Sequence, residues 1–320
     1  MRKFWYIIFL LVIGLILLAA CGAEPQQDNS KLAVVATTSI IGDVVANIGG
    51  DMIELTVIVG IGQNPHSFEP TPKDLAAIET ADVVFINGLD LEEMLVEAID
   101  DIATGVVASV SIGIDPLPFG DDQYADHRDD EQEEEDNHTA GDPHFWVDPN
   151  NVIVWVENIA RVLSEADPVN AVGFNENAAA YSVELNALDA YIRQQTAQIP
   201  EEERKIVTDH HSLGYFAEEY GYQIIGAVIP STSDTGGASA GEVAELAGLM
   251  KAEDVRAIFI GETAGQGMQN LAEALAEEVG GAVQIITLLT GSLAEAGEPG
   301  DTYLGYLRYN TDQIVAGLAN

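Results

Sequence analysis

The sequence predicts an α/β protein of two lobes, each a mainly parallel sheet flanked by helices, joined by one long rigid backbone helix. A length of 320 residues favours two domains over one. Apolar strand patterns alternate with helix patterns through both halves, which is typical of parallel sheets. Between the halves lies a helical pattern of about thirty residues, which at 1.5 Å per residue would extend for about 45 Å. Such a helix is too long for one layer of a small domain, so we expect it to cross both lobes.

The first 30 residues are predicted to lie outside the fold. Residues 1–20 have the basic start and apolar run of a secretory signal peptide. The run ends in Leu18-Ala19-Ala20-Cys21, which resembles a bacterial lipobox, so Cys21 is expected to carry a lipid that anchors the protein to the membrane. Residues 21–30 are a polar tether. A plain transmembrane anchor is the alternative, although the apolar run is near the lower length limit for spanning. We therefore expect a periplasmic or outer-face location.

The N-terminal lobe is predicted to span residues 31–166. Its strand patterns cover residues 32–38, 53–59, 81–86 and 106–111, and its helix patterns cover residues 40–48, 73–80, about 93–103 and 151–166. The loop Asn64-Pro65-His66 follows the second of these strands, and its prolines exclude a helix. Ligands bind beyond the carboxyl ends of strands in open α/β sheets, so this loop is a candidate binding element.

The linking helix is assigned to residues 167–200, and the C-terminal lobe to residues 201–320. Strand patterns in this lobe cover residues 205–208, 224–229, 255–260 and 283–287, and helix patterns cover residues 240–251, 268–279 and 302–318. His210 follows the first of these strands, and Glu262 follows the third. The second half therefore repeats the strand-and-helix order of the first.

The charge of the chain excludes several kinds of partner. A formal net charge of −41 argues against nucleic acid and against a basic surface that binds anionic lipid. Residues 121–140 form an acidic, low-complexity segment that we predict to be a mobile loop, because it has little apolar surface to bury. His127 and His138 in this segment are candidate weak metal sites, and the alternative is a solvated spacer.

The six histidines lie in proline-rich corners, in the acidic segment or after a strand, and this distribution suggests a metal site assembled from separate loops. The candidate ligands are His66, His144, His210 and Asp301, two from each half, which would place the metal in the cleft between the lobes. Cys21 is the only cysteine, so thiolate ligands are excluded. Asp301 could instead cap the last helix.

Glu262 and His211 are the reserve candidates. Glu262 could serve as a ligand or as a partner that holds one. Because His210 and His211 are adjacent, their side chains should point in different directions, and only one of them should ligate.

Several motifs together resemble one family, the solute-binding lipoproteins of zinc and manganese ABC transporters. The matching stretches, in the family's order, are residues 64–70, 87–89 with Glu92, 142–149, 210–216 with 220–221, Ser239 with Glu242, and 301–304 with Asn310. The resemblance implies two α/β lobes, a metal in the interlobe cleft and an ABC permease as partner, and it puts the ligands on the same four residues. It also implies a protein that binds and releases metal and is not an enzyme, and we expect a monomer.

The choice of metal and two other functions remain open from the sequence. Zn(II) is favoured over Mn(II) or Fe(II), because histidine suits zinc and the acidic segment adds two more imidazoles. A metallohydrolase would need an open coordination position and a general base, for which Glu262 is the only candidate. A surface protein that serves in cell adhesion is the third alternative.

Overall fold

The computed structural model describes residues 31–118, 141–230, 237–280 and 283–319. The predicted signal peptide, the tether with Cys21, and the acidic segment with His127 and His138 lie outside the described residues. Within the described part of the chain, no helix is both long enough and apolar enough to cross a membrane.

The N-terminal sheet has four parallel strands in the order β2-β1-β3-β4. The central strand β1 is apolar along most of its length, as expected for a strand covered on both faces. Helices pack on the sheet, so the carboxyl ends of its strands stay open to loops. The strands are β1 (Leu32–Thr38), β2 (Ile53–Val59), β3 (Val83–Ile86) and β4 (Val106–Ser109), and the helices are α1 (Ser39–Gly49), α2 (Pro72–Thr80), α3 (Glu93–Ile102) and α4 (Pro149–Ala166).

The C-terminal sheet repeats this arrangement with four parallel strands in the order β6-β5-β7-β8. The first strand of each lobe is therefore central, and the second lies at an edge. The strands are β5 (Lys205–Thr208), β6 (Gln223–Ala227), β7 (Ala257–Gly261) and β8 (Gln284–Leu288), and the helices are α6 (Gly214–Tyr220), α7 (Ala240–Ala252), α8 (Gln266–Val279) and α9 (Tyr303–Leu318). The two-lobe α/β fold predicted from the sequence is confirmed.

The long helix α5 (Ala171–Thr196) has 26 residues and is about 39 Å long at 1.5 Å per residue. One face is buried, through Phe174, Tyr181, Leu185 and other apolar residues. These side chains belong to a core that also includes β1, β7 and α9, so the helix is packed on both lobes. The helix begins four residues later than the assigned range 167–200, because Asp167 accepts a hydrogen bond from the Val169 N–H and holds a turn there.

Two local features differ from the prediction. Helix α6 was not expected, because seven residues are too short to show a clear apolar period; it forms because Tyr215, Phe216 and Tyr220 are buried. The last helix begins one residue later than predicted, at Tyr303, and its N-cap is Thr302, whose hydroxyl accepts the Gly305 N–H. Asp301 is therefore not the cap.

Candidate metal site

Three histidines from three separate segments meet between the lobes. One ring nitrogen from each of His66, His144 and His210 lies within 4.8 Å of the others, the spacing expected of side chains able to share a metal ion. The Nε2 atoms of His66 and His144 are 3.2 Å apart, and the three ring centroids are separated by 5.2 to 5.7 Å. His144 and His210 are buried, and His66 is half-buried. The sequence-based expectation that these histidines assemble therefore agrees with their placement.

His66 lies in a single 3-10 turn, Pro65–Ser67, after β2. Asn64 caps this turn, since its side-chain oxygen accepts the His66 N–H at 3.0 Å. Pro65 occupies the first helical position, where its missing N–H costs nothing and its fixed φ favours the turn. Two local devices thus orient the backbone of His66 towards the cleft.

His144 is held by the carboxylate two residues before it. Asp142 Oδ1 accepts the backbone N–H of His144 at 2.9 Å and lies 2.8 Å from His144 Nδ1. The carbonyl of Pro143 accepts a hydrogen bond from the side chain of Asn87 at 2.9 Å, which ties this corner to the end of β3. Both the ring and the backbone of His144 are therefore fixed before any metal binds.

Aromatic side chains fix the same corner from the C-terminal lobe. The Tyr215 hydroxyl donates to the carbonyl of Asp142 at 2.7 Å, and the Tyr303 hydroxyl donates to the carbonyl of Trp146 at 2.8 Å. Trp146 Nε1 in turn donates to the carbonyl of Thr290 at 3.1 Å. Hydrogen bonds to the other lobe therefore anchor the segment around His144.

His210 follows β5 directly and is held in the same manner. Asp209 Oδ1 accepts the backbone N–H of His210 at 2.8 Å and lies 2.9 Å from His210 Nδ1. The second oxygen of Asp209 accepts the Gly261 N–H at 2.7 Å, which joins the ligand to the end of β7.

The two carboxylates determine which nitrogen of each ring can bind a metal. An ionised carboxylate only accepts, so Nδ1 of His144 and of His210 must carry the proton. The lone pair then lies on Nε2, the atom that faces the other histidines. A carboxylate on the far nitrogen also makes the imidazole a better electron donor, as is common at metal sites. Sequence analysis did not single out Asp142 and Asp209, although the spacings Asp-Pro-His and Asp-His contain the signal.

Electrostatics keep the imidazoles ready for a cation. Burial, with smaller contributions from His144 and His210, lowers the pKa of His66 to about 2. Burial also lowers the pKa of His144, although Asp142 opposes the change. Burial alone would raise the pKa of Asp209, but the neighbouring His210 and the hydrogen bonds it accepts lower it instead. His66 and His144 are therefore neutral at physiological pH, as a metal ligand must be.

The structure does not bring Asp301 to the histidines. Its side chain is exposed, and its carboxylate accepts the Gly297 N–H at 2.8 Å within the same turn. The group formed by the three histidines does not include it among the described residues. In this structure the Asp301 carboxylate belongs to the turn before α9, and its role as a fourth ligand stays a prediction.

Glu262 and His211 are close to the site but outside the histidine group. Glu262 accepts the Thr290 N–H at 2.6 Å and the Ser292 hydroxyl at 3.3 Å. Burial raises its pKa to about 7. Its position fits the role of a partner that holds the 290–292 loop, and His211 is buried beside His210 without entering the group.

A small cavity lies against the three imidazoles. Its volume is about 10 Å³, roughly the room that one water-sized ligand needs. Apart from the histidines and Trp146, its walls come from the His66 turn and from Thr263, Thr290 and Gly291. The arrangement can bind one small cation through three nitrogens and offers little space for an organic substrate.

Comparison with known sequences identifies relatives over the whole chain. The family model described as ZnuA, zinc-uptake complex component A, periplasmic, matches residues 34–317. A manganese-binding lipoprotein MntA of Halalkalibacterium halodurans is 34% identical, and the alignment covers 100% of both chains. A manganese ABC transporter substrate-binding lipoprotein PsaA of Streptococcus pneumoniae is 31% identical, again over 100% of both.

Solved structures give the same result. The periplasmic zinc-binding protein TroA of Treponema pallidum superposes with a TM-score of 0.78 at 30% identity, over 91% of this chain and 100% of its own. A manganese-bound periplasmic metal-binding protein of Candidatus Liberibacter asiaticus has a TM-score of 0.75 at 27% identity, over 90% and 100%. This chain belongs to the ZnuA family of metal-binding, solute-binding components of ABC transporters, which are not enzymes.

Proposed function

We propose that this protein captures Zn(II) outside the cytoplasm and delivers it to an ABC permease. The observation that carries the choice of metal is the donor set: three imidazoles meet, and no carboxylate joins them among the described residues. Mn(II) prefers oxygen ligands, whereas imidazole suits zinc, and nitrogen-rich sites bind Zn(II) more tightly than Mn(II). This argument favours zinc even though relatives such as MntA and PsaA are named for manganese.

Competition between the two metals tests this proposal. The protein is purified without added metal and analysed for its elements, and the metal-free protein is then titrated with Zn(II) and Mn(II). We expect one tight Zn(II) per chain and Mn(II) affinity lower by at least about 100-fold, following the ligand preferences of the two ions. His66→Ala is the control that should lose the tight site. Equal affinity, or retention of manganese, would contradict the choice of zinc.

Binding should also join the lobes, because His66 lies in the N-terminal lobe and His210 in the C-terminal lobe. A ligand at about a thousand times its dissociation constant stabilises the folded state by about 4 kcal/mol. Thermal unfolding with and without Zn(II) should therefore show a clear rise in Tm, and the His66→Ala variant should show almost none.

Delivery to a permease requires the protein to stay near the membrane. We propose that Cys21 carries a lipid anchor, on the strength of its lipobox-like sequence and of relatives named as lipoproteins. Cell fractionation should find the parent in the membrane fraction and the Cys21→Ser variant largely free of it. If the parent and the Cys21→Ser variant are found in the membrane fraction to the same extent, Cys21 does not carry a lipid anchor. Size-exclusion chromatography with light scattering tests the further proposal that the protein is a monomer.

A further inference from the structure

The wall of the cavity opposite the imidazoles has no strong metal donor in the described part of the chain. Besides the histidines and Trp146, the cavity is lined by Thr263, Thr290 and Gly291 and by Pro65 and Asn64, whose side-chain oxygen already accepts the His66 N–H. The carboxylate of Glu262 does not line the cavity, and it accepts hydrogen bonds from the Thr290 N–H and the Ser292 hydroxyl. A zinc ion held by three imidazoles normally takes a further ligand. The residues that the structure describes therefore leave that position to another ligand.

Gly291 is the residue that keeps this position open. A methyl group at residue 291 would stand 3.0 Å from Pro65 Cδ and 3.6 Å from Thr263 Oγ1. Its backbone is not in the left-handed region, so the turn itself does not require glycine. What glycine supplies here is room between the two walls of the cleft. Any longer side chain would extend into the space beside the histidines.

The charge of the site favours a small, electron-rich occupant. Three neutral imidazoles leave the full charge of a divalent ion, and the carboxylates of Asp142 and Asp209 lie on the far side of their rings. A zinc-bound water loses a proton readily in such surroundings. The cavity volume of about 10 Å³ matches one such ligand.

We propose that the fourth metal ligand is exogenous: a water or hydroxide that small monodentate anions can displace, at a position kept open by Gly291. This proposal rests on the proposed capture of zinc. An incoming ligand can enter at the open position before any imidazole leaves. Release of the metal then need not begin with the breaking of a bond to the protein.

Cobalt substitution tests the proposal on the unmodified protein. Co(II) takes the place of Zn(II) and has a visible spectrum that depends on its ligands, and azide is the probe anion. We expect one Co(II) per chain and a saturable change in its visible absorption as azide is added. Full Co(II) binding with a spectrum unaffected by azide would overturn the proposal. If neither Co(II) nor Zn(II) binds tightly, the proposed function fails instead, so the two failures are distinguishable.

Three variants locate the open position. Gly291→Asp supplies a carboxylate and should abolish the azide response while raising affinity for Mn(II) relative to Zn(II) by about tenfold or more. Gly291→Ala is the matched control: its methyl group supplies no donor and takes up part of the room, so the azide response should weaken but persist. Thr263→Val should also retain it. Loss of the parent Co(II) spectrum in Thr263→Val would show that the chain supplies the fourth ligand and would overturn the proposal.

Discussion

The two lobes share one sheet topology but supply their ligands from different places. In the N-terminal lobe, the central strand β1 runs directly into α1, because the Thr38 hydroxyl caps that helix by accepting the Ile41 N–H at 3.2 Å. In the C-terminal lobe, residues 209–213 separate the equivalent strand β5 from α6. That extra segment carries Asp209 and His210. A repeated fold therefore does not imply a repeated site.

In the N-terminal lobe no such segment follows β1, and the ligand comes instead from a loop after the edge strand β2. His66 follows β2, is half-buried and is oriented by Asn64 and Pro65. His210 follows a central strand, is buried and has a carboxylate that also binds β7. Within the described residues, a carboxylate lies on Nδ1 of His144 and of His210 but not of His66. The comparison indicates that His144 and His210 are a preset pair, held in place by carboxylates before metal binds. His66 is a third, less constrained ligand that completes the site.

The largest expected effect comes from removing a ligand in either lobe. His210→Ala and His66→Ala should each lower Zn(II) affinity by more than about 100-fold, since changes that merely disturb the partners of a ligand already cost 10–100-fold. Isothermal titration or competition with a chelator measures the loss. His211→Ala is the control: it is adjacent to His210 and equally buried, and its affinity should stay close to that of the parent. A loss in His211→Ala equal to that in His210→Ala would refute this ligand assignment.

The carboxylates behind the ligands should give the next largest effect. Asp209→Asn and Asp142→Asn each replace a pure acceptor by an amide that no longer fixes the ring proton, and the expected loss in Zn(II) affinity is about 10–100-fold. Asp209→Asn should be the worse of the two, because Asp209 also accepts the Gly261 N–H. If both variants bind zinc as tightly as the parent, the preset character of this pair is disproved.

The fold and the meeting of the three histidines could be predicted from the sequence, while their role as ligands stays a prediction. Strand and helix periods are local, and His66 and His210 each follow a strand end, where parallel sheets bring loops together. The position of the Asp301 carboxylate could not be predicted in the same way, because the direction of this side chain depends on whether residue 301 or residue 302 caps α9. The role of Gly291 could not be predicted from the sequence, since a glycine carries no side-chain donor. Its importance arises only when the lobes place it against Pro65 and Thr263.

The C-terminal lobe should also show a distinctive pH dependence through Glu262. Burial raises the pKa of this acid from about 4.5 to about 7, so the folded state holds its proton more tightly than the unfolded state. The resulting stability is fully present below about pH 4.5 and is lost as the pH rises through about 7. Glu262→Gln should therefore gain stability relative to the parent between pH 5 and pH 8, by on the order of 2 kcal/mol.

Urea unfolding of metal-free protein at both pH values measures this difference. Glu273→Gln, an exposed position on α8, is the control and should show no such pH-dependent gain. A Glu262→Gln variant whose stability relative to the parent is the same at both pH values would disprove the titration of a buried acid at this position.

The smallest expected effect concerns the contact that joins the two lobes beside the cavity. The Ser292 hydroxyl in the C-terminal lobe accepts the Gly62 N–H of the N-terminal lobe at 2.8 Å and also lies next to Glu262. Ser292→Ala removes a hydrogen bond worth about 1 kcal/mol, and because the bond crosses the cleft, the loss should weaken Zn(II) binding by about two- to fivefold.

Ser182→Ala is the matched control, since the Ser182 hydroxyl donates to Ala178 within α5 and does not cross the cleft. Both variants remove one serine hydroxyl and should lower the free energy of unfolding by a similar amount, about 1 kcal/mol. Only Ser292→Ala should also weaken zinc binding, because only its hydrogen bond depends on the lobes being together around the metal. If zinc affinity is unchanged in Ser292→Ala, or falls equally in both variants, this contact does not help to hold the lobes closed around the ion.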